Sequence, residues 1–479
     1  MGNKVISIDP VTRVEGHLKI EVELDKNNKV VEAKASGNLY RDFENILQNR
    51  HPWDAVHITQ RICGICPISH NIVSVKAAEQ AAGFTPSDQV VLLRSLMQGG
   101  NFLQDHILHF YHLSLMDYIV GPQLSPWSPG YNSDMRVNST DTQRLINNYL
   151  EALKIRRQAQ EMVALFAGRV PHIMTNVPGG VTATVDESKI SQFKSYLSAV
   201  TNFINSKYLP DAEFLANAYS DYNNIGKGPG NLISFGVFDL PGGSTLYKRG
   251  RITGGTGGSV DAGKISEYVQ YSYYSSASGL NPAEEDTVPA YGKGGAYSWL
   301  KAPRYEGEVY ETGPLARMKV NGDYSGGTSV MDRLRARALE TRKIAAAMSN
   351  WIGQVSPGPS QGANAYTDIT LAASGSGIGL TEAPRGALGH WLQYSNTSVT
   401  RYQVITPTCW NASPKDDNGK AGAVEQALIG TVVANPDQPI ELLRVVHSFD
   451  PCTGCSVHVI NPEKGIDKEF IVQGFVGGR

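Results

Sequence analysis

Three things are scarce in this sequence. Cysteine occurs five times in 479 residues, too sparsely for the disulfide framework of a small secreted scaffold. Net charge is almost absent, since 43 Lys+Arg against 45 Asp+Glu leave −2. That excludes a generic polyanion binder, which needs a basic surplus to release counterions, so nucleic acid is not an expected partner. Apolar runs long enough to span a bilayer are missing as well, and no transmembrane segment is expected. The amino terminus has no charged segment followed by an apolar one, so no signal peptide is read. Gly2 is followed by Ile6 where a myristoylation start needs Ser or Thr. The chain is expected to be soluble, reaching the cell envelope only by travelling with an exported partner.

What is present is globular: 41% hydrophobic and 18% charged residues. The length suits about three domains of about 150 residues or one interwoven body, and we expect the single body over 1–479. Partial alternation at Leu18, Ile20, Val22 and Leu24, with a turn at Lys26-Asn-Asn-Lys29, predicts an N-terminal sheet within 1–40. Helical periodicity marks a core over 87–220: a helix from Ser87 to Val120 with a break near Gly99-Gly100, and another over 141–168 with Leu145, Leu150, Leu153, Ile155, Met162 and Leu165 inward. Residues 226–313, rich in glycine, serine and tyrosine, read as a loop excursion. A second helical core with a C-terminal metal motif is expected over 331–458, and 459–479 form an extension. The fold class is α+β, predominantly helical, a central bundle of long helices with peripheral β-sheet.

Placement makes the cysteines informative. Four form two pairs, Cys63-Gly-Ile-Cys66 and Cys452-Thr-Gly-Cys455, near opposite ends of the chain, and each is followed by a histidine, His70 and His458. Two residues between thiols place both sulfurs on one side of a turn, and soft thiolates suit zinc, nickel, copper(I) or iron. A structural zinc closes over four thiolates, usually within a few tens of residues. Pairs so far apart are more natural at the centre of a large fold, where a functional transition metal would sit. Thiol redox chemistry is the third possibility. His106, His109 and His112 imitate a metal triplet, but at roughly 100° per residue the third drifts by about 120° from the first, which favours packing. Gly254–Gly258 lacks the strand–turn–helix frame of a phosphate loop. Cys409, the fifth thiol, reads as buried and inert.

Arg61-Ile-Cys-Gly-Ile-Cys66-Pro-Ile-Ser-His70 and Asp450-Pro-Cys-Thr-Gly-Cys455-Ser-Val-His458 together resemble the large, catalytic subunit of [NiFe] hydrogenases. So do Arg13-Val-Glu-Gly-His17, Arg41-Asp-Phe-Glu44, Pro178-Gly-Gly-Val181, Gly313-Pro-Leu-Ala-Arg317, Glu382-Ala-Pro-Arg-Gly-Ala387 and Trp410-Asn411. Coverage is essentially the whole chain, and the look is nearest to the periplasmic uptake branch that includes [NiFeSe] members. Position 452 is cysteine here, so nothing that depends on selenium carries over.

The resemblance implies reversible, heterolytic oxidation of H2 to protons and electrons at a nickel–iron centre, the iron carrying carbon monoxide and cyanide. Cys63 and Cys452 would be terminal nickel ligands, Cys66 and Cys455 bridging ones. Cys452 would be the first base, Glu15 the proton relay, and Arg385 the cation facing the iron's ligands. Thr408, Pro384 and Pro407 would complete that pocket, Asp105 and Asp450 would pair with Arg385, and His70 would hydrogen-bond a bridging sulfur. Glu44, His458 and the Val404 carbonyl would hold magnesium. The resemblance further implies an iron–sulfur small subunit, a maturation protease that removes 459–479, and a periplasmic or envelope location by co-export, with a cytoplasmic one as the alternative. A hydrogen-sensing regulatory subunit and a non-catalytic, zinc-stabilised relative are the rival functions.

Overall fold

The computed structural model describes residues 4–128, 130–358 and 365–453. The first elements are three antiparallel strands, β1 (Lys4–Ile8), β2 (Leu18–Leu24) and β3 (Val30–Gly37), in the order β1-β2-β3. Leu18, Ile20, Val22 and Leu24 alternate inward and are buried, as a period of two requires. The turn before β3 places Asn28 at φ 57°, a conformation asparagine tolerates better than most residues.

The helical body consists of α1 (Pro67–Ala81), α2 (Asp88–Leu108), α3 (Ser139–Ala167), α4 (Glu187–Phe203) and α5 (Val330–Trp351). The helices α2 to α5 each begin at a side-chain cap. Ser87 accepts from Val90 N, Asn138 from Asp141 N, Asp186 from Lys189 N, and Ser329 from Asp332 N with a reciprocal bond, satisfying amide groups that have no intrahelical partner. α2 packs against α3 and α5, and α4 bridges the same pair.

The expected break at Gly99-Gly100 is absent. α2 runs through both residues because they lie where helices cross: a Cβ on Gly99 would stand 2.6 Å from Met348 Sδ of α5, and one on Gly100 would stand 2.3 Å from Val163 Cγ2 of α3. The regular ladder ends later, in a π-helical turn over His109–Ser114. Leu150 and Leu153, expected inside, are 54% and 45% exposed; α3 buries a narrower stripe through Leu145, Ala152, Ile155, Ala159 and Met162.

The region 331–458 is not helical throughout. After α5 come β4 (Ser374–Ala383), β5 (Gly386–Ser395) and β6 (Ser398–Ile405), an antiparallel sheet in sequence order. β5 is almost wholly buried, so its continuous apolar run lacks the alternation that marks a half-exposed strand. β4 lies directly on α1: a Cβ at Gly377 would meet the Ala77 carbonyl oxygen at 2.0 Å, and one at Gly379 the Val73 oxygen at 2.0 Å. Glycine lets the backbones touch, and this contact joins the helix that begins at Cys66 to the sheet that carries Arg385 and Val404. A short helix, Pro407–Asn411, and α6 (Ile440–Ser448) complete the described chain. Among the described residues no helix is long and apolar enough to cross a membrane.

Gly379→Ala should therefore lower stability by about 3 kcal/mol, the upper range for overpacking a dense interior. Gly294→Ala, where an added Cβ meets nothing within 4 Å, should stay within about 0.5 kcal/mol of the wild type. Denaturant midpoints of the two purified variants check the difference.

Candidate metal centre

Cys63 ends a 3-10 turn in extended conformation (φ −136°, ψ 133°), and Cys66 is the N-cap of α1. Pro67 stands at the first helical position, where no N–H is needed, so the helix starts immediately after the second thiol. The Cys66 amide donates to Cys63 Sγ at 3.2 Å. Both thiols thus lie at a helix N-terminus, whose positive end favours thiolate.

Cys452 arrives from the other end of the chain. It forms an isolated parallel bridge with Glu15, and Thr453 N donates to the Glu15 carbonyl at 2.7 Å. Its own amide donates to Thr408 Oγ1 at 2.9 Å. These anchors bring Cys452 Sγ to 3.3 Å from Cys63 Sγ, with Cys66 Sγ 2.8 Å from Cys63. All three sulfurs lie within 4.8 Å of one another and are buried. Three soft donors converging on one point suit a soft transition metal such as zinc, copper(I), nickel or iron. Cys455 and His458 lie outside the described residues.

The expected surroundings assemble around the sulfurs. Glu15 Oε2 accepts from Cys452 Sγ at 3.1 Å. Arg385 Nη1 donates to Asp105 Oδ2 at 2.8 Å, and Nη2 lies 3.0 Å from Asp450 Oδ1. Burial opposes the charge of Arg385, but Asp105, Asp450 and the thiols of Cys452 and Cys66 outweigh it and strengthen proton binding. Burial also drives Asp105 up to about 7 despite the pull of Arg385. Asp450 is held below the usual carboxylate range, because Arg385, His109, Arg337 and His106 overcome its burial. Pro384 and Pro407 are buried, and the Pro384 carbonyl accepts from Arg317 Nη2 at 2.8 Å.

His70, four residues after Cys66 on α1, shares its helix face. Burial lowers its proton affinity to about 4, against the opposing field of Cys63. Behind it stands His390, which sequence reasoning missed because a single histidine inside an apolar strand carries no motif.

A second missed feature is a chain of buried charge. Arg337 Nη1 donates to Asp450 Oδ2 at 3.1 Å and to His106 Nδ1 at 3.2 Å. Since Nδ1 accepts, His106 Nε2 is the donor to Glu340 Oε2, 2.8 Å away. Arg317 then joins Glu340 and Glu382, each at 2.7 Å. The signal existed, because Arg317 and Glu382 belong to motifs already singled out. The histidine triplet disperses into separate contacts: His109 Nε2 donates to the His447 carbonyl at 2.6 Å, and His112 Nε2 to the Tyr149 carbonyl at 3.3 Å.

Glu44 and Val404 meet beside a cavity of about 50 Å³ lined also by Thr287, Glu267, Lys301 and Cys409. Val404 N donates to Glu44 Oε1 at 3.0 Å. Lys301 Nζ lies 3.6, 3.7 and 3.0 Å from Glu44, Glu267 and Glu285, so three carboxylates face one ammonium. Glu267 Oε2 and both Glu285 carboxylate oxygens are buried without a hydrogen bond. Burial raises Glu267 and Glu285 above the usual carboxylate range against the pull of Lys301, and the oxygen donors gathered here suit a hydrated hard cation. Cys409 accepts from Thr406 Oγ1 at 3.2 Å, and burial pushes its thiol up to about 11, consistent with an inert role.

Removing one partner of a buried ion pair strands the others. Arg385→Met should cost about 3–5 kcal/mol of stability, and Asp105→Asn less, because an amide oxygen at that place can still accept from Arg385 Nη1. Parallel unfolding curves of the two variants test the order.

Comparison with known proteins covers the whole arrangement. Residues 41–120, 119–328 and 319–458 match the nickel-dependent hydrogenase family, and residues 5–36 match a HoxL-like family. The chain is 41% identical to the periplasmic [NiFeSe] hydrogenase large subunit of Desulfomicrobium baculatum, over 97% of this chain and 96% of that one. It is 31% identical to the uptake hydrogenase large subunit of Bradyrhizobium diazoefficiens, over 96% of each. In structure it superposes on the Ni-Fe-Se hydrogenase of D. vulgaris Hildenborough in the reduced state with a TM-score of 0.91 at 40% identity, over 95% of this chain and 100% of that one. Sequence, fold and the converging thiols agree that the chain belongs to the nickel-dependent hydrogenase family, as a large subunit.

Proposed function

We propose that this chain is the catalytic subunit of a [NiFe] hydrogenase and carries out H2 ⇌ 2 H+ + 2 e−. The observation that carries this reading is the convergence of Cys63, Cys66 and Cys452 at one buried point, with the Glu15 carboxylate 3.1 Å from Cys452 Sγ. Cys63, Cys66, Cys452 and Cys455 would hold nickel and iron. When bound, that centre, its iron carrying carbon monoxide and cyanide, supplies the redox change and polarises H2.

The remaining work belongs to the protein. Cys452 takes the proton at its sulfur, and Glu15 Oε2 is placed to receive it and pass it outward. Hydrogen-bond contact between donor and acceptor is the geometric requirement for such transfer. Arg385, fixed by Asp105 and Asp450, would offer N–H donors to the cyanide ligands, with Pro384, Pro407 and Thr408 completing the wall around them. His70 would hydrogen-bond one of the ligand sulfurs. Glu44, the Val404 carbonyl and His458 would hold magnesium, with the surplus carboxylates beside Lys301 supporting its bound water.

The electrons leave through another chain. An iron–sulfur cluster generally takes four cysteines, and beyond the active-site four only Cys409 remains. A small subunit with iron–sulfur clusters is the partner this requires. Relatives named periplasmic and uptake hydrogenases support a periplasmic place for the pair, reached by co-export. A maturation protease acting after His458 would remove 459–479.

Metal analysis of the purified heterodimer should give nickel and iron, infrared bands from carbon monoxide and cyanide, and a large-subunit mass ending at His458; zinc alone would refute the assignment. Glu15→Gln should keep the metals yet slow hydrogen–deuterium exchange by at least about 100-fold, the scale of a lost proton-transfer group. Unchanged exchange would remove Glu15 from the path.

A further inference from the structure

The two limbs of chain that meet at Glu15 and Cys452 are tied together a second time, at a carboxylate the proposed reaction does not use. Asp117 ends the short turn Leu115–Asp117 that follows the π-helical end of α2, and it is 0% exposed. Arg13 Nη2 donates to Asp117 Oδ1 at 2.5 Å, and His447 Nδ1 donates to Asp117 Oδ2 at 2.6 Å. Arg13 stands two residues before Glu15, and His447, on α6, stands five residues before Cys452. His447 Nε2 donates in turn to the Thr12 carbonyl at 2.9 Å. Arg13 Nη1 donates to the Leu113 carbonyl at 2.6 Å, an acceptor within the π-helical turn.

We propose that Asp117 is a positioning residue for proton transfer: its carboxylate clamps the Glu15 limb to the Cys452 limb and so sets the 3.1 Å contact between Glu15 Oε2 and Cys452 Sγ. The inference rests on the role of Glu15 as proton acceptor proposed above.

Three observations carry it. Arg13 has φ 58°, in the left-handed region where a side chain strains the backbone, and such a conformation persists only where surrounding contacts enforce it. The two hydrogen bonds of its guanidinium are contacts of that kind. Second, the Glu15 segment is held on both sides: Thr453 N donates to the Glu15 carbonyl, while Asp117 and His447 hold Arg13 and Thr12. A carboxylate between two fixed points keeps one direction. Third, Asp117 is itself fixed to α6, because its carbonyl accepts from Arg444 Nε at 2.9 Å and Nη2 at 2.8 Å. Burial opposes its charge, but Arg13 and His447 outweigh burial and hold the acid down to about 2, so both oxygens accept at neutral pH. The carboxylate and the Thr12 carbonyl only accept, which makes both ring nitrogens of His447 donors.

Hydrogen–deuterium exchange by the purified heterodimer is the test. In Asp117→Asn one carboxylate oxygen becomes an amide NH2 group, which faces a donor and cannot hold both limbs. Exchange should slow by at least about tenfold, since misplacing a reacting group by about 1 Å costs up to about 100-fold. Nickel and iron contents and the paramagnetic spectrum of nickel should match the wild type. The decisive comparison is with Glu15→Gln. A residue that acts only by placing Glu15 has nothing left to place in that background, so the double variant should exchange at the rate of Glu15→Gln alone. A general structural role would instead multiply the two losses; that result would overturn the proposal, as would an unchanged rate in Asp117→Asn. If Asp117→Asn does not assemble, Arg13→Lys, which lacks the fork that joins Leu113 to Asp117, takes its place in the same cycle. Unchanged exchange in Glu15→Gln would overturn the proton-acceptor reading itself, and that single variant separates the two failures.

Discussion

The closing of one buried site by thiols from opposite ends of the chain is the constraint on which the rest of the fold depends. Cys63 and Cys452 are 389 positions apart, and bringing such distant segments together costs loop entropy that grows only slowly with length. The larger difficulty is positional, since sulfurs must be placed to a fraction of an ångström. Each end therefore has a rigid mount. Pro67 starts α1 immediately after Cys66. The Glu15 bridge and the Thr408 hydroxyl hold Cys452 through its backbone. The carboxylate that contacts Cys452 thus sits on the strand-like segment that positions it, so carboxylate and thiol are held together.

Charge buried around this point carries the second layer of order. Ion pairs in a protein interior contribute little net stability, because desolvation offsets their attraction. Their geometry is nonetheless demanding. The path from Asp450 through Arg337, His106, Glu340 and Arg317 to Glu382 crosses α2, α5 and β4, and it ends where Glu382 Oε1 accepts from Phe235 N at 2.6 Å. Glu340, despite its burial, is held down to about 2 by Arg317 and His106. A helix that shifted by one turn would strand several charges at once, so the network specifies one arrangement of the bundle around the metal site.

In the proposed reaction the same architecture would separate the products. Glu15, the proposed proton acceptor, comes from the N-terminal segment, and beyond the two cysteine pairs the chain has only Cys409 to offer a cluster. Arg385 with its two carboxylates and the His70–His390 pair flank the sulfurs from two further directions. Each flank comes from a different part of the chain, and β4, β5 and β6 unite them because Gly377 and Gly379 allow the sheet to lie on α1.

Much of this was legible in the residues. The two Cys-x-x-Cys pairs, Glu15, Arg385 and the acids beside it carry motifs, and the long helices announce themselves through caps and a period of 3.6. The alternation of β2 was equally plain. The buried strand β5 was not, because a run apolar on both faces has no periodicity to read, and the Gly99-Gly100 pair looked like a helix break when it is a crossing point. Leu150 and Leu153 misled for a related reason: composition does not say how wide a stripe a neighbouring helix will cover. Sequence by itself determined the family and the class of chemistry, since these depend on residue types at short spacings. Only tertiary structure decided that His390 stands behind His70, that one lysine faces three carboxylates beside Glu44, and that two glycines seat a sheet on the metal-site helix. Those depend on distances between remote segments, which packing sets and local sequence does not encode.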